Sequence, residues 1–236
     1  MKRVLATMWC DLVVQWRNGL FAAAAVVVVG WALVLQYLQV MPQRLERLAW
    51  LLPPLLFNEL VIVTFFFVGG LVLLEHGEGS LQAQIVSPLR TTEYLLSKVI
   101  TLTLAALIQT VILVALLPGI PVHWPILLLG LTAMAVLFVL TGLIAVLRAP
   151  TLNAYLVSSV LYVAVLFVPL VPYIAGWSPW IIVLHPMNAP LMLLRAAIEP
   201  VPAWEILYGV VSSSAWIGVV FWSTLRAFRR FVILTG

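Results

Sequence analysis

Six long runs of apolar residues, separated by shorter polar segments, dominate the pattern of this chain. Each run has roughly the 20 residues that a helix needs to cross the hydrocarbon core of a bilayer. Strands of a membrane barrel would instead alternate apolar and polar residues in segments of about ten, and the chain lacks that pattern. Backbone groups cannot stay unpaired in hydrocarbon, so the runs predict six transmembrane helices, over residues 20 to 41, 49 to 74, 97 to 117, 125 to 147, 154 to 175 and 206 to 225.

Two further segments are too polar or too broken to span and too apolar to lie free in water. Residues 1 to 19 mix charges such as Asp11 with Val, Leu and Trp, which predicts an amphipathic elbow helix at the membrane surface. Residues 176 to 205 are apolar but interrupted by prolines, which predicts short re-entrant or interfacial helices, with residues 190 to 198 as one of them. The whole chain, 1 to 236, is then one all-α membrane domain.

Composition and charge placement support this interpretation. Of the 236 residues, 64% are hydrophobic and 8% are charged, which excludes a soluble globular domain. Lys and Arg are enriched on the cytoplasmic side of membrane proteins, and most of the 12 cations fall on one side of the predicted helices. We therefore expect both termini in the cytoplasm, together with Lys2, Arg3, Arg17, Arg90, Lys98, Arg148, Arg226, Arg229 and Arg230, whereas Arg44, Arg47 and Arg195 lie outside.

The most polar stretch is the predicted cytoplasmic loop from residue 75 to residue 96. Gly77 and Gly79 allow a sharp exit from the second helix. Residues 80 to 86 can form about two helical turns, and Pro88 ends them because proline disfavours helix in the residue before it. On this pattern alone, a solvated loop with an interfacial helix and a docking segment for a partner are both open.

A longer motif adds to this pattern. The run from Glu75 to Lys98, Glu-x-Gly-Glu-Gly-Ser-Leu-x-x-x-x-Val-Ser-Pro-Leu-Arg-x-x-Glu-Tyr-Leu-x-Ser-Lys, resembles the signature between the second and third helices of type 2 ABC exporter (ABC-2) permease subunits. The similarity is closest to fluoroquinolone export permeases. It covers nearly the whole chain in order, including the run Leu55-Leu-Phe-Asn-Glu-Leu-Val61 and Leu184-His185-Pro186.

This resemblance implies a cytoplasmic coupling helix between helices 2 and 3 that docks on a separate ABC ATPase subunit. It also implies a second permease subunit, identical or different. The exported compound would be amphipathic, such as a fluoroquinolone-like drug, with lipid, peptide or another metabolite as alternatives. The residues expected to couple the chain to the ATPase are Glu75, Glu78, Gly79, Leu81, Gln84, Ile85, Ser87, Pro88 and Arg90.

The chain itself shows no catalytic motif. A phosphate-binding loop needs Gly-x-x-x-x-Gly-Lys-Ser/Thr, and neither Lys2 nor Lys98 lies in one. We therefore expect no cofactor and no metal on this chain, and ATP with Mg²⁺ on the partner subunit. A transport subunit is favoured over an enzyme, with an intramembrane enzyme or a membrane scaffold as rival hypotheses. A single cysteine, Cys10, excludes an internal disulfide.

One carboxylate lies inside a predicted span. Glu59, beside Asn58, sits near the middle of the second run, where an ionised group would cost a few kcal/mol. Either it is a neutral acid that fixes helix packing, or it lies on the substrate pathway and attracts a cationic compound. Gln109 and Asn153 are the weaker candidates for polar contacts on that pathway.

The C-terminal arginines allow a further choice. Arg226, Arg229 and Arg230 can simply anchor the last helix at the cytoplasmic surface, or they can bind anionic membrane lipid or the ATPase. The predicted partners are thus membrane lipid and protein subunits, without nucleic acid, in the cell inner or plasma membrane.

Overall fold

The structure is a computed structural model that describes residues 2–39, 45–77, 91–116, 120–149, 151–177 and 179–235. Within these ranges every regular element is helical, which confirms the predicted all-α class. The second apolar run is one long helix whose central turns are π-helical, over Val61–Phe66. The elements are α1 (Lys2–Arg17), α2 (Leu20–Gln39), α3 (Leu45–Leu60), the π-helical segment, α4 (Phe67–Gly77), α5 (Thr91–Ala115), α6 (Trp124–Val146), α7 (Leu152–Leu166), α8 (Leu170–Ala175), a 3-10 helix (Trp180–Leu184), α9 (Asn188–Ala196) and α10 (Ala203–Thr235).

Several of these helices suit a bilayer. In the part of the chain that is described, 4 helices are long and apolar enough to cross, and the bent pair α1 and α2 brings the number to 5 if it counts as one span. The shorter apolar helix α7 has 15 residues. The chain is therefore a multi-pass helical membrane protein. The 4 long helices are Ala49–Gly77, Thr91–Ala115, Trp124–Val146 and Ala203–Arg230.

The N-terminal segment is a separate helix, and its boundary falls where the sequence places it. α1 and α2 meet at an angle of 67°. Gly19 adopts a φ of 70°, which a residue without Cβ reaches at no steric cost. Both the backbone N–H and the side-chain amide of Asn18 donate to the carbonyl of Val14 at 3.0 Å, which satisfies a carbonyl at the end of α1.

The predicted fifth crossing, 154 to 175, is wrong as a continuous helix. α7 ends at Leu166, and α8 starts again at Leu170 after a turn that contains Pro169. Proline has no N–H to donate and its ring crowds the preceding turn, so it interrupts the hydrogen-bond ladder there. Gly176, at a φ of 66°, then ends α8 in a left-handed cap.

The second and third helices each extend further than predicted at the ends that flank the predicted coupling loop. α4 continues to Gly77 and α5 begins at Thr91, with Glu93 in its first turn. Residues 75 to 77 and 91 to 96 of the predicted loop are therefore helical, and residues 78 to 90 lie outside the described residues. Helices flank those residues on both sides.

The core is built around α6, which is apolar around its whole circumference and mostly buried, as expected for a central helix. It packs against the π-helical segment, α4, α5, α9 and α10. α9 confirms a short helix between the last two predicted crossings. A Cβ on Gly209 of α10 would lie 2.7 Å from the side chain of Leu193, so this glycine permits the close packing of α10 on α9.

Candidate functional site

A cluster of three buried charges joins helices that are far apart in the sequence. The ammonium group of Lys98 in α5 forms ion pairs with the carboxylates of Asp11 in α1 and Glu75 in α4. Asp11 and Glu75 are each 1% exposed, and Lys98 is fully buried. Since an unpaired charge in such a place is very costly, the three groups depend on one another. We call this set the charge cluster.

Hydroxyl groups of α5 complete the charge cluster. Tyr94 donates to Glu75 Oε2 at 2.9 Å, and the Ser97 hydroxyl lies 3.1 Å from Asp11 Oδ2 and 3.0 Å from the carbonyl oxygen of Tyr94. The ammonium also lies 5.2 Å from the centre of the Tyr94 ring. Tyr94, Ser97 and Lys98 follow the spacing i, i+3, i+4, so that one face of α5 carries all of them.

The charge cluster brackets the predicted coupling loop. Glu75 lies at the end of α4 and Lys98 near the start of α5, so the two helices that flank residues 78 to 90 are tied together. Asp11 ties α1 to the same point. A displacement of the loop would therefore act on three helices as one unit.

The predicted position of Glu75 in the loop is wrong, because burial in α4 turns its carboxylate toward Lys98 rather than toward the surface. From the sequence, Lys98 was expected among the cytoplasmic cations and Asp11 in the elbow helix, and neither was expected to pair with Glu75.

The other residues predicted to couple the chain to the ATPase lie outside the described residues, and their role stays a prediction. They are Glu78, Gly79, Leu81, Gln84, Ile85, Ser87, Pro88 and Arg90.

Glu59 is fully buried between α3 and α5. Its Oε2 lies 2.7 Å from the hydroxyl of Thr110, and that hydroxyl also lies 2.9 Å from the carbonyl of Ala106. A hydroxyl has one hydrogen, so it cannot donate to both oxygens. If Thr110 donates to Ala106, the contact with Glu59 requires a protonated carboxyl that donates to Thr110. Among the described residues Glu59 Oε1 has no hydrogen-bond partner.

The predicted pathway residues differ in their burial and in their contacts. Asn58 and Gln109 are both half-buried and are the sequence neighbours of the contacting pair Glu59 and Thr110. Asn153, by contrast, is exposed in the first turn of α7. The polar contact near the middle of the bundle is thus that of Glu59 with Thr110, and Asn58 and Gln109 flank it along the chain.

The π-helical segment begins two residues after Glu59. Turns of this kind are rare and often accompany functional sites. The hydroxyl of Tyr155 in α7 donates to the carbonyl of Phe65 at 2.7 Å, so a neighbouring helix satisfies a backbone group of the widened turn. Gly69 and Gly142 allow this approach: a Cβ on Gly69 would overlap the Tyr155 ring, and one on Gly142 would lie 2.8 Å from the Phe65 carbonyl oxygen.

At the opposite end of the second helix from the charge cluster lies a cavity of about 560 Å³. Trp50 stacks on Tyr173 with a centroid separation of 6.1 Å, and Arg195 donates to Glu199 at 2.9 Å. Aromatic rings and charges of both signs thus line one space. Its lining includes Trp50, Tyr173, Trp177, Arg195, Glu199, Trp204 and Glu205.

His185 holds one wall of this end in place. Its Nδ1 accepts from the backbone N–H of Met187 at 3.2 Å, and its Nε2 lies 3.1 Å from the carbonyl of Val165, to which it donates when neutral. Burial lowers the pKa of His185, and the hydrogen bond to Val165 partly opposes that effect. The neutral ring therefore connects the 3-10 helix and α9 to α7.

Helices of spanning length, a buried charge cluster and a buried acid in the bundle define a multi-pass membrane protein with polar groups inside its helical bundle. A model of the fluoroquinolones export permease protein family matches residues 2–235, and the chain belongs to that family. It is similar to the fluoroquinolones export permease proteins of Mycobacterium tuberculosis strains CDC 1551 / Oshkosh and ATCC 25618 / H37Rv. Each is 30% identical to it over 214 residues, which cover 89% of this chain and 88% of the relative. The protein is thus a membrane permease of an export system.

Proposed function

We propose that the chain is the membrane subunit of an ATP-driven ABC-2 exporter and that residues 78 to 90 carry the force of a separate ATPase. The observation that carries this proposal is the charge cluster, which ties α1, α4 and α5 together directly beside that loop. A loop attached to a rigid group of helices can convert a push into a rigid-body motion. Family membership and the relatives' export function support the same interpretation.

The assembly in this proposal has two permease subunits and two ATPase subunits, with ATP and Mg²⁺ bound by the latter. The second permease is either identical or a related chain. Six crossings with both termini in the cytoplasm place residues 78 to 90 on the side where ATP is available. The membrane is the cell inner or plasma membrane.

The compound exported is amphipathic, and a fluoroquinolone-like molecule is the first candidate because the relatives are named for such export. The cavity at the Trp50 end supports an amphipathic cargo, since rings and charges of both signs line it. Glu59 is the group within the bundle that a positive amine would find. Lipid, peptide or another metabolite is the alternative cargo.

Affinity purification in mild detergent tests the assembly. The tagged chain is extracted from its native membrane, and bound proteins are identified by mass spectrometry while ATP hydrolysis is measured. We expect an ATPase subunit in equal number to the permease chains, with hydrolysis in the same fraction. Recovery of the chain alone, under conditions that preserve other membrane complexes, would refute the proposal.

The coupling loop can be tested at Ile85 or Gln84. Replacing either by a bulky charged residue is expected to abolish transport-linked stimulation of the ATPase while the chain still folds, because the position lies in the loop and outside the helices that the structure describes. Transport into vesicles and ATP hydrolysis are measured together. Ile85→Val is the matched control and should behave as the unmodified chain; normal transport by Ile85→Glu would contradict the docking role.

Glu59→Gln tests the substrate pathway. Glutamine can keep the contact with Thr110, so the fold should persist, whereas the attraction for a cationic compound is lost. We expect export of cationic compounds to fall about tenfold, the equivalent of roughly 1.4 kcal/mol, with little change for neutral ones. Thr110→Val is the control that removes the partner without changing the charge. Equal losses for cationic and neutral compounds would show that Glu59 only fixes packing.

A further inference from the structure

Three arginines from two separate elements line one cavity. Arg148 follows the end of α6, and Arg226 and Arg230 lie one turn apart on α10. The cavity has a volume of about 430 Å³, and no acidic side chain is among the described residues that line it. The described residues that line it are Leu147, Arg148, Trp222, Ser223, Arg226, Ala227 and Arg230. We call this the arginine cavity.

Neighbouring side chains hold two of these arginines in position. The guanidinium carbon of Arg226 lies 3.4 Å from the centre of the Trp222 ring, and Arg148 donates to the hydroxyl of Tyr162 at 3.1 Å. Each contact uses only part of the group, since a guanidinium carries five N–H donors. Donors therefore remain for a ligand.

The arrangement is unfavourable when it is empty. Two like charges at i and i+4 on a helix repel each other, and Arg148 adds a third charge to the same space. An anion that accepts hydrogen bonds from all three would remove this repulsion. Arginine pairs with phosphate in a bidentate manner, so phosphate is the anion that this geometry suits best.

We propose that the arginine cavity binds the phosphate headgroup of an anionic membrane lipid. The surface of α10 beside it indicates a lipid rather than a soluble phosphate. Val219 and Trp222 are each 52% exposed, and little of α10 is buried against the rest of the chain. Acyl chains can therefore run along this apolar face while the headgroup enters the cavity, a depth at which tryptophan rings commonly lie.

Binding at this point would act close to the charge cluster. Phe228, between Arg226 and Arg230 on α10, is 4% exposed, and its ring lies 5.1 Å from that of Tyr94. Tyr94 in turn donates to Glu75. A headgroup bound by Arg148 and Arg226 would therefore link the end of α6 to α10 within two residues of Phe228. This inference does not depend on the ATPase, because lipid binding is measured on the chain by itself.

The test uses the purified full chain in uncharged detergent, titrated with phosphatidylglycerol or with phosphatidylcholine of the same acyl chains, with bound lipid counted by native mass spectrometry. Arg148→Gln and Arg230→Gln remove cavity charges. Arg229→Gln is the matched control on the same helix, since Arg229 is exposed, as the cavity arginines are, but does not line the cavity. We expect each cavity variant to weaken phosphatidylglycerol binding about fivefold and Arg229→Gln to leave it unchanged.

Four outcomes would overturn the proposal. Equal losses in Arg229→Gln and in the cavity variants would mean that only the general positive charge of the surface attracts lipid. Equal binding of the two lipids would mean that the net negative charge of the headgroup is not recognised, because phosphatidylcholine carries the same phosphate beside a cationic choline group. If inorganic phosphate displaces phosphatidylglycerol at the same concentration as a competing lipid does, the site binds a free anion. If the cavity variants lose only the binding of a protein partner, the surface is a docking site for that protein and not a lipid site.

Discussion

Replacing Lys98 by methionine should lower the stability of the chain by about 3 to 5 kcal/mol, because it leaves two carboxylates buried without a cation. Asp11 and Glu75 are held in place by α1 and α4 and cannot reach water without moving these helices. For a chain of this size the loss corresponds to a melting temperature lower by roughly 10 °C. Fluorescence-detected gel filtration after heating in detergent measures it, with the yield of monodisperse protein as a second readout.

A neutral replacement of the whole charge cluster is the control. The triple variant Asp11→Asn, Glu75→Gln, Lys98→Met removes all three charges, and replacing a buried ionic group as a whole is often close to neutral. We expect it to recover most of the lost stability but not the coupling between ATP hydrolysis and transport. If Lys98→Met is as stable as the unmodified chain, these three groups do not form a buried ionic unit.

Two adjacent glycines should respond very differently to the same methyl group. A Cβ on Gly69 would overlap the ring of Tyr155, whereas one on Gly70 meets no atom within 4 Å in the described part of the chain. Gly69→Ala must therefore displace the ring and weaken its hydrogen bond to Phe65, at a cost of about 1 to 3 kcal/mol. Gly70→Ala should be neutral or slightly stabilising, since alanine is the better helix former.

A second substitution tests whether Tyr155 is the cause. Tyr155→Ala removes the ring that a Cβ at position 69 would overlap. In the double variant Gly69→Ala, Tyr155→Ala, the losses of stability from the two substitutions should therefore be far from additive. Melting temperatures of the four chains complete the cycle. Strict additivity would mean that Gly69 and Tyr155 are not in contact.

The helical class of the fold was predictable, because continuous apolar runs leave helices as the only way to pair the backbone in hydrocarbon. The bend after Arg17 was also predictable, from the polar residues before Gly19. Pro169 was visible in the sequence, but the length of the apolar run led to the prediction of one continuous helix. The proline interrupts the helix there although the average hydropathy of the run suits a full crossing.

The charge cluster could not be predicted from local pattern. Asp11 and Lys98 are 87 positions apart, and nothing in either neighbourhood names the other. One signal was present and unused: Tyr94, Ser97, Lys98 and Thr101 recur at helical spacing in an apolar helix, which indicates a polar face turned toward a partner. Glu59 is buried in a helix of spanning length, and its contact with Thr110 depends on how α3 and α5 pack.

The π-helical segment decides which neighbour the two acids of the second helix face. Glu59 and Glu75 are 16 positions apart. At about 100° per residue, an unbroken α-helix would point them in directions about 160° apart. The wider turns of Val61–Phe66 accommodate about one extra residue, so the helix rotates by about 100° less between the two acids. Their directions then differ by roughly 60°. A change in winding thus allows α5 to supply Thr110 to one acid and Lys98 to the other.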